Sequence, residues 1–274
     1  MNNLDADLIR RNLGAAAAAR LSRLEIFAEI DSTNSYLMQQ LAPAPGKMHV
    51  AATDNQTAGR GRHGRSWQSP PGSGLCLSLA HTFALPPPNL PALTLAIGLG
   101  VIETLKKLNA MAVQLKWPND LIAMDCKLGG ILTESQAQPG GAVTVVTGIG
   151  MNIDLDEQVD AILALDEARR AIDLKSQVVE LPDWNWITAS LVTGLSKAIV
   201  DYETRGFAPF SSQWSEHDWL FGREVTINTA GRQITGKGAG IGDDGALLVD
   251  TPSEGRQRVT SGSVVTTGAR EPRQ

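Results

Sequence analysis

The sequence predicts an α+β chain in two parts: a larger unit, residues 1–220, and a small C-terminal β-barrel, residues 221–274. Three observations carry this. Up to about residue 220, strand-like apolar runs are interleaved with segments whose apolar residues recur at helical spacing. From Gly222 the texture changes to short strands separated by Gly-rich or Asp-Gly turns. No internal repeat or long low-complexity linker separates the two, so they are expected to pack together.

Taken in order, a helix starting near Leu4 and running through Ala15–Ala19 is expected first, on the strength of its alanines. Arg23 to Glu29 has strand character, and Asp31-Ser32-Thr33-Asn34 supplies capping side chains for a helix carrying Tyr36 and Leu37. Val50–Thr53 and Leu75–Phe83 read as strands that flank a glycine-rich loop. A helix over Pro91–Leu108 puts Leu93, Ile97, Val101, Leu105 and Leu108 on one face. Strands over 112–117, 121–124 and 128–134 follow, separated by Pro118-Asn119-Asp120 and Asp125-Cys126-Lys127. Val143–Ile153 is a further strand, and Gly148 and Gly150 within it predict close approach by a ligand or another backbone. Helical spacing returns over Pro182–Tyr202, with a short helix near Ser212–Asp218. The barrel strands are predicted at 224–228, 233–239, 246–250 and 256–260.

Composition narrows the class. The net charge of −5 is mildly acidic, which argues against a global nucleic-acid-binding surface and makes local basic clusters stand out. The two cysteines, Cys76 and Cys126, show no pairing pattern, and the N-terminus lacks the charged-then-apolar order of a secretory signal. No apolar run approaches the roughly 20 residues that cross a bilayer. A cytoplasmic protein with no membrane partner is the expectation. His49, His63, His81 and His217 are scattered, so no metal-ligand spacing is present.

The richest segment is Gln56-Thr57-Ala58-Gly59-Arg60-Gly61-Arg62-His63-Gly64-Arg65-Ser66-Trp67. Glycine lets backbone approach a ligand, guanidinium forks match phosphate and carboxylate oxygens, and an indole can cover a planar ring. This reads as a mobile anion-binding loop. The glycine spacing also fits a dinucleotide-binding turn, but that needs a following helix and an acidic residue about 20 positions on. The Ser69-Pro70-Pro71-Gly72 stretch breaks any helix, and no Asp or Glu occurs between Asp54 and Glu103.

Four segments require one explanation: 31–34, 56–67, Lys116-Trp117-Pro118-Asn119-Asp120, and Lys127-Leu128-Gly129-Gly130 followed by Gly148-Ile149-Gly150-Met151-Asn152. In this order they resemble the biotin protein ligases, from about Arg23 into the C-terminal part, where Gly240–Val249 resembles the family's second domain. The resemblance implies a mixed β-sheet backed by helices and an SH3-like barrel. It also implies ATP-dependent biotinylation of a lysine through biotinyl-5′-AMP, with Mg²⁺ accompanying ATP. The implied partner is a biotin carboxyl carrier domain of acetyl-CoA carboxylase or a related carboxylase. Some members carry an N-terminal winged-helix DNA-binding domain; the short stretch ahead of Arg23 does not fit one, so the monofunctional type without a DNA partner is expected.

The chemistry suggests the roles. A carboxylate is a poor electrophile and must be activated as an acyl adenylate, which brings two anions together; fixed positive charge between them lowers the barrier. Lys127 is assigned that charge, against the alternative of a solvated turn lysine. Arg60 and Arg62 are placed on the biotin carboxyl and phosphate oxygens, and Arg65 toward pyrophosphate or solvent. By resemblance Ser32, Thr33 and Gln56 give polar contacts to biotin, while Gly59, Gly130 and Gly148 let backbone pack against it; Ser32 and Thr33 also suit helix capping. Trp67 is expected near adenine and Asn152 at the nucleotide, with Lys116 and Asn119 on the ATP side. Trp117 is pocket wall or core. Asp120 is grouped with Lys127 and Arg62 as catalytic, its role open between orienting Mg-ATP or the incoming amine and simply forming the turn.

Two rivals remain at this level: a lipoate-type ligase sharing the activation chemistry, and a non-catalytic biotin or nucleotide sensor. Monomer and homodimer are equally compatible with the sequence.

Overall fold

The computed structural model describes residues 4–68, 70–110, 112–155 and 171–266. Its main unit is a seven-stranded mixed sheet in the order β1-β2-β3-β7-β6-β5-β4. The strands are β1 (Leu21–Ile26), β2 (Met48–Thr53), β3 (Gly74–Phe83), β4 (Val113–Lys116), β5 (Asp120–Ala123), β6 (Cys126–Ala137) and β7 (Val143–Asn152). Only β1 and β2 are parallel; every other neighbour pair is antiparallel.

Helices α1 (Ala6–Asn12), α2 (Ala15–Arg20), α3 (Thr33–Gln39), α4 (Leu93–Lys107), α5 (Trp184–Arg205) and α6 (Ala208–His217) cover the sheet. The helix predicted through the alanine run is in fact two. Leu13 and Gly14 are extended, the Gly14 N–H donates to Thr193 Oγ1 at 3.1 Å, and a Cβ on Gly14 would lie 2.8 Å from Thr193 Cγ2. Docking on α5 therefore overrides the local preference for continuing the helix.

The predicted apolar face of α4 is real but narrower than the buried surface. Leu95, Ala96, Leu99 and Ile102 are buried as well, because the helix is enclosed between the sheet and α5. Gly98 rests against Leu115 and Ile131 of the sheet, while Gly100 meets Ala198 and the Gly194 backbone of α5. Two glycines two positions apart thus let one helix approach both layers closely. Burying a side chain such as Leu99 or Ile102 contributes about 1.5–3 kcal/mol each.

The C-terminal strands are β8 (Glu224–Asn228), β9 (Gln233–Ile241), β10 (Leu247–Thr251), β11 (Gly255–Val259) and β12 (Ser263–Thr266). They form an antiparallel sheet in the order β11-β10-β9-β8-β12, and among the described residues no ladder joins β11 to β12. Strand β12 lay outside the sequence reading: four residues carry too little pattern, and it exists because it pairs with β8. Residues 267–274 of the predicted barrel lie outside the described residues.

This sheet is fastened to the main unit through the Trp117 indole and through Arg223, which meets Asp125 and Trp219 at the junction. Trp117 Nε1 donates to the Gly245 carbonyl at 3.0 Å, and Trp219 Nε1 donates to Asp125 Oδ1 at 2.7 Å. Arg223 shares that Asp125 oxygen at 2.7 Å and stacks its guanidinium 4.0 Å from the Trp219 ring.

Candidate active site

Antiparallel pairing of β3, β7 and β6 brings distant segments to one end of the sheet. The start of β3 lies opposite the end of β7, Gly74 facing Asn152, and β7 in turn pairs Gly150 with Gly130 near the start of β6. The loop leaving β2 and the β5–β6 hairpin therefore open onto the same space.

That loop is a short hairpin flap. Trp67 N–H donates to the Gly59 carbonyl at 2.9 Å and Gly61 N–H to the Arg65 carbonyl at 2.7 Å, with the turn at Arg62–Gly64. His63 and Gly64 take left-handed conformations there, φ 57° and 73°. The flap root is held beside α3, where Thr57 and Ala58 N–H groups donate to the Ile30 and Asp31 carbonyls, both at 2.9 Å.

The β5–β6 connection differs from the predicted turn. The reversal is Met124-Asp125, both left-handed (φ 48° and 60°), so Cys126 and Lys127 belong to β6. The consequence for Lys127 comes from the register: Leu121 pairs with Gly129 and Ile122 with Lys127, leaving Leu128 as an extra residue. Such a bulge re-aims side chains. Leu128 is fully buried, and Lys127 comes to the same face as Gly130, where a Cβ would lie 3.8 Å from Lys127 Cε.

Together these parts enclose a cavity of about 490 Å³, a size suited to a small organic ligand. Five cations, Arg60, Arg62, Arg65, Lys116 and Lys127, and one carboxylate, Asp120, occur among its described lining residues. Lys127 Nζ is 3.6 Å from Asp120 Oδ1 and 5.5 Å from the centre of the Trp67 ring, with its side chain only 15% exposed. Burial pulls the Arg62 guanidinium below its usual range, opposed by the Asp120 charge and reinforced by Arg65. It remains a cation at neutral pH.

Most predicted residues meet here, in distinct settings. Ser32 caps α3 by accepting the Ser35 N–H at 3.3 Å and also lines the cavity, so both of its expected roles coexist geometrically. Thr33 N–H donates to Gln56 Oε1 at 2.8 Å. Gly130 lines the wall, and Gly148 lies so close under Asn34 that a Cβ would meet the Asn34 amide. Trp67 lies flat against Gly150, where a Cβ would be 2.6 Å from Nε1; that nitrogen is buried without a hydrogen-bond partner. Lys116 lines the cavity with its ammonium 5.9 Å from the Trp219 ring. Arg65 lines the mouth, its Nε donating to the Arg62 carbonyl at 3.4 Å.

Arg60, Asn119 and Asn152 also line the cavity, and they have protein partners of their own. Gly59 lies behind the wall, where a Cβ would strike the Trp67 carbonyl; it permits the flap's ladder. Arg60 lines the cavity, yet its fork is closed on Glu134. Asn119 Nδ2 donates to the Ile131 carbonyl at 2.9 Å, and Asn152 Nδ2 donates to the carbonyls of Lys127 (3.2 Å) and Ile172 (3.1 Å). Asn152 thus holds the backbone that carries Lys127. Trp117 is 3% exposed and belongs to the core between the two sheets.

The sequence reading gives Asn34 a capping role and no site role, and does not single out Ser78, Glu134 or the β12 residues Ser263–Thr266. Ser78 shares the face of Cys76 by strand alternation, and Leu132 and Glu134 follow Gly130 by the same period of two, so that signal was present. For β12 there was none, since its place in the wall depends on packing between sheets.

A mixed sheet carrying a cationic flap over such a cavity is the architecture of an acyl-activating ligase domain, and residues 26–152 match the Biotin/lipoate A/B protein ligase family. Residues 220–266 match the Biotin protein ligase C terminal domain. The bifunctional ligase/repressor BirA of Salmonella typhimurium is 35% identical over 248 residues, 90% of this chain and 73% of that protein. The biotin--[acetyl-CoA-carboxylase] ligase of Mycobacterium tuberculosis is 33% identical over 255 residues, 90% of each. The Aquifex aeolicus biotin protein ligase structure in complex with biotin and ATP superposes with a TM-score of 0.73 at 28% identity, covering 90% of this chain and 100% of that one. The chain belongs to the biotin protein ligase family.

Proposed function

We infer that this protein joins biotin to ATP as biotinyl-5′-AMP, releasing pyrophosphate, and passes the biotinyl group to a lysine of a carboxylase carrier domain. The observation that carries the reading is the convergence of Lys127 from β6 and Arg62 from the flap on one cavity, with Asp120 3.6 Å from the lysine.

Each residue has a task in that chemistry. Lys127 and Arg62 neutralise the carboxylate and α-phosphate oxygens as they approach, and removing one such donor costs about 10²–10³ in rate. Ser32, Thr33 and Gln56 offer polar groups to the ureido ring. Trp67 seals the cavity and offers a face to adenine, since an adenylate must be kept from water. Lys116 and Arg65 sit at the ATP end with Mg²⁺ carried on the phosphates, together with Asn119 and Asn152, which also hold the Ile131 and Lys127 carbonyls. Asp120, beside both Lys127 and Arg62, is placed to orient the incoming lysine amine. The main unit, 1–220, performs the chemistry; the C-terminal unit, 221–274, closes one wall through β12.

Mass spectrometry of a biotin carboxyl carrier fragment of acetyl-CoA carboxylase, incubated with this protein, biotin and Mg-ATP, tests the reading. A mass increase of one biotinyl group on a lysine is expected. Binding of biotin without pyrophosphate release would point to a sensor, and transfer of lipoate in preference to biotin would reassign the substrate.

A further inference from the structure

Of the flap arginines, Arg60 is the one whose fork closes on a carboxylate of the protein, at the partly exposed rim of the cavity (side chains of Arg60 and Glu134 41% and 26% exposed). Its NH1 and NH2 donate to Glu134 Oε1 and Oε2 at 2.9 and 2.6 Å, a bidentate fork linking the flap to β6. Glu134 is held from behind by Asn34 Nδ2, at 2.9 Å, whose second hydrogen goes to the Leu132 carbonyl at 3.2 Å. Asn34 Oδ1 accepts from Ser78 Oγ at 2.7 Å, and Ser78 Oγ lies 2.7 Å from Thr33 Oγ1. Each hydroxyl has one hydrogen, so with Ser78 donating to Asn34, the single hydrogen of Thr33 Oγ1 is shared between Ser78 Oγ at 2.7 Å and Gln56 Oε1 at 3.1 Å. Gln56 at the flap root is then kept by the Thr33 N–H. Asn34, Ser78 and Thr33 are all at most 4% exposed. A continuous chain of side chains therefore runs beneath the cavity, from the flap root at Gln56 to its cationic arm at Arg60.

We propose that Glu134 is a positioning residue that latches the closed flap by holding Arg60, and that Asn34 and Ser78 tie this latch to the polar floor of the biotin slot. The inference rests on the ligase reading for its consequence: the latch keeps the adenylate from escaping. It also leaves Arg62 and Lys127, not Arg60, as the cations facing the reacting oxygens.

The test measures release of preformed radiolabelled biotinyl-AMP from the full chain, alongside tryptic cleavage of the flap without ligand. Glu134→Ala and Arg60→Ala are each expected to speed release about fivefold, or ~1 kcal/mol at 1.4 kcal/mol per tenfold. The double variant is expected to be no faster than either single, because both remove the same contact. Glu134→Gln keeps the bond to Asn34 without the ionic fork and falls between. Cleavage after Arg62 and Arg65 is expected to quicken in Glu134→Ala. Release within twofold of wild type, or multiplying effects in the double variant, overturns the latch. If Glu134→Ala does not fold, wild-type release and cleavage in Glu134→Gln overturn it equally. Should the wild-type protein make no biotinyl-AMP, the ligase reading fails, and the ligand-free cleavage still decides the latch.

Discussion

The ammonium of Lys127 lies 5.5 Å from the centre of the Trp67 indole, so the cation from β6 and the aromatic of the flap face each other across one cavity. This contact requires both the bulge at Leu128, which turns Lys127 inward, and Gly150, which leaves room for the indole.

Lys127→Ala should lower biotinyl-AMP formation by about 10²–10³, the usual loss for one preorganised charge at a developing anion. Biotin-dependent pyrophosphate exchange measures it. The thermal midpoint should hold, since the ammonium packs no core; a rate within threefold of wild type would remove Lys127 from the chemistry.

Arg62→Ala should form the adenylate poorly or lose it quickly, because Arg62 is the half-buried flap cation beside Asp120. Single-turnover formation and filter-bound retention separate the two effects. Normal values for both would count against the assignment.

Gly150→Ala should behave like loss of the indole. The new Cβ would lie 2.6 Å from Trp67 Nε1, forcing the ring off β7 and opening the cavity to water. Faster hydrolysis of bound adenylate is expected, and Gly150→Ala should add little in a Trp67→Ala background. Additive effects would show that the glycine acts elsewhere.

Acid should weaken the fold through His81. Burial, helped by the Arg20 charge, lowers its pKa from 6.5 to about 4. The unfolded chain then binds a proton between those values that the folded one does not, so stability is full above pH 6.5 and falls as pH drops toward 4. At about 1.36 kcal/mol per unit this is at most ~3 kcal/mol. Denaturant melts from pH 7.5 to 5 check it: His81→Gln should flatten the slope, and an unchanged slope would clear His81.

Asp125→Ala should cost about 1–3 kcal/mol, because it strips one acceptor from both the Trp219 indole and the largely buried Arg223. Urea unfolding and proteolysis near residues 218–223 should register the weakened attachment of the C-terminal sheet. An unchanged urea midpoint would mean that other contacts carry it.

Much of this was legible beforehand. Strands 75–83 and 224–228, the 91–108 helix and the glycine flap follow from period and turn chemistry, and the observed elements lie within a few residues of those expectations. What was lost has a common cause. Gly14 ends a helix because Thr193 is there, Met124-Asp125 reverse the chain with no glycine to announce it, and β12 exists through its pairing with β8.

The site shows the same division most sharply at two arginines. Sequence alone established that Arg60 and Arg62, two residues apart on a glycine-rich loop, are cations suited to anionic oxygens. It could not distinguish between them. Their fates are set by partners far along the chain: Glu134, 74 residues from Arg60, claims one fork, while the other stays half-buried at the cavity beside the Asp120 charge. Residue chemistry and local period are written in the chain's order. The register of β6 against β7, and the bulge that turns Lys127 toward Asp120, arise only when strands pair, because long-range hydrogen bonds and packing, not local preference, choose which charges meet.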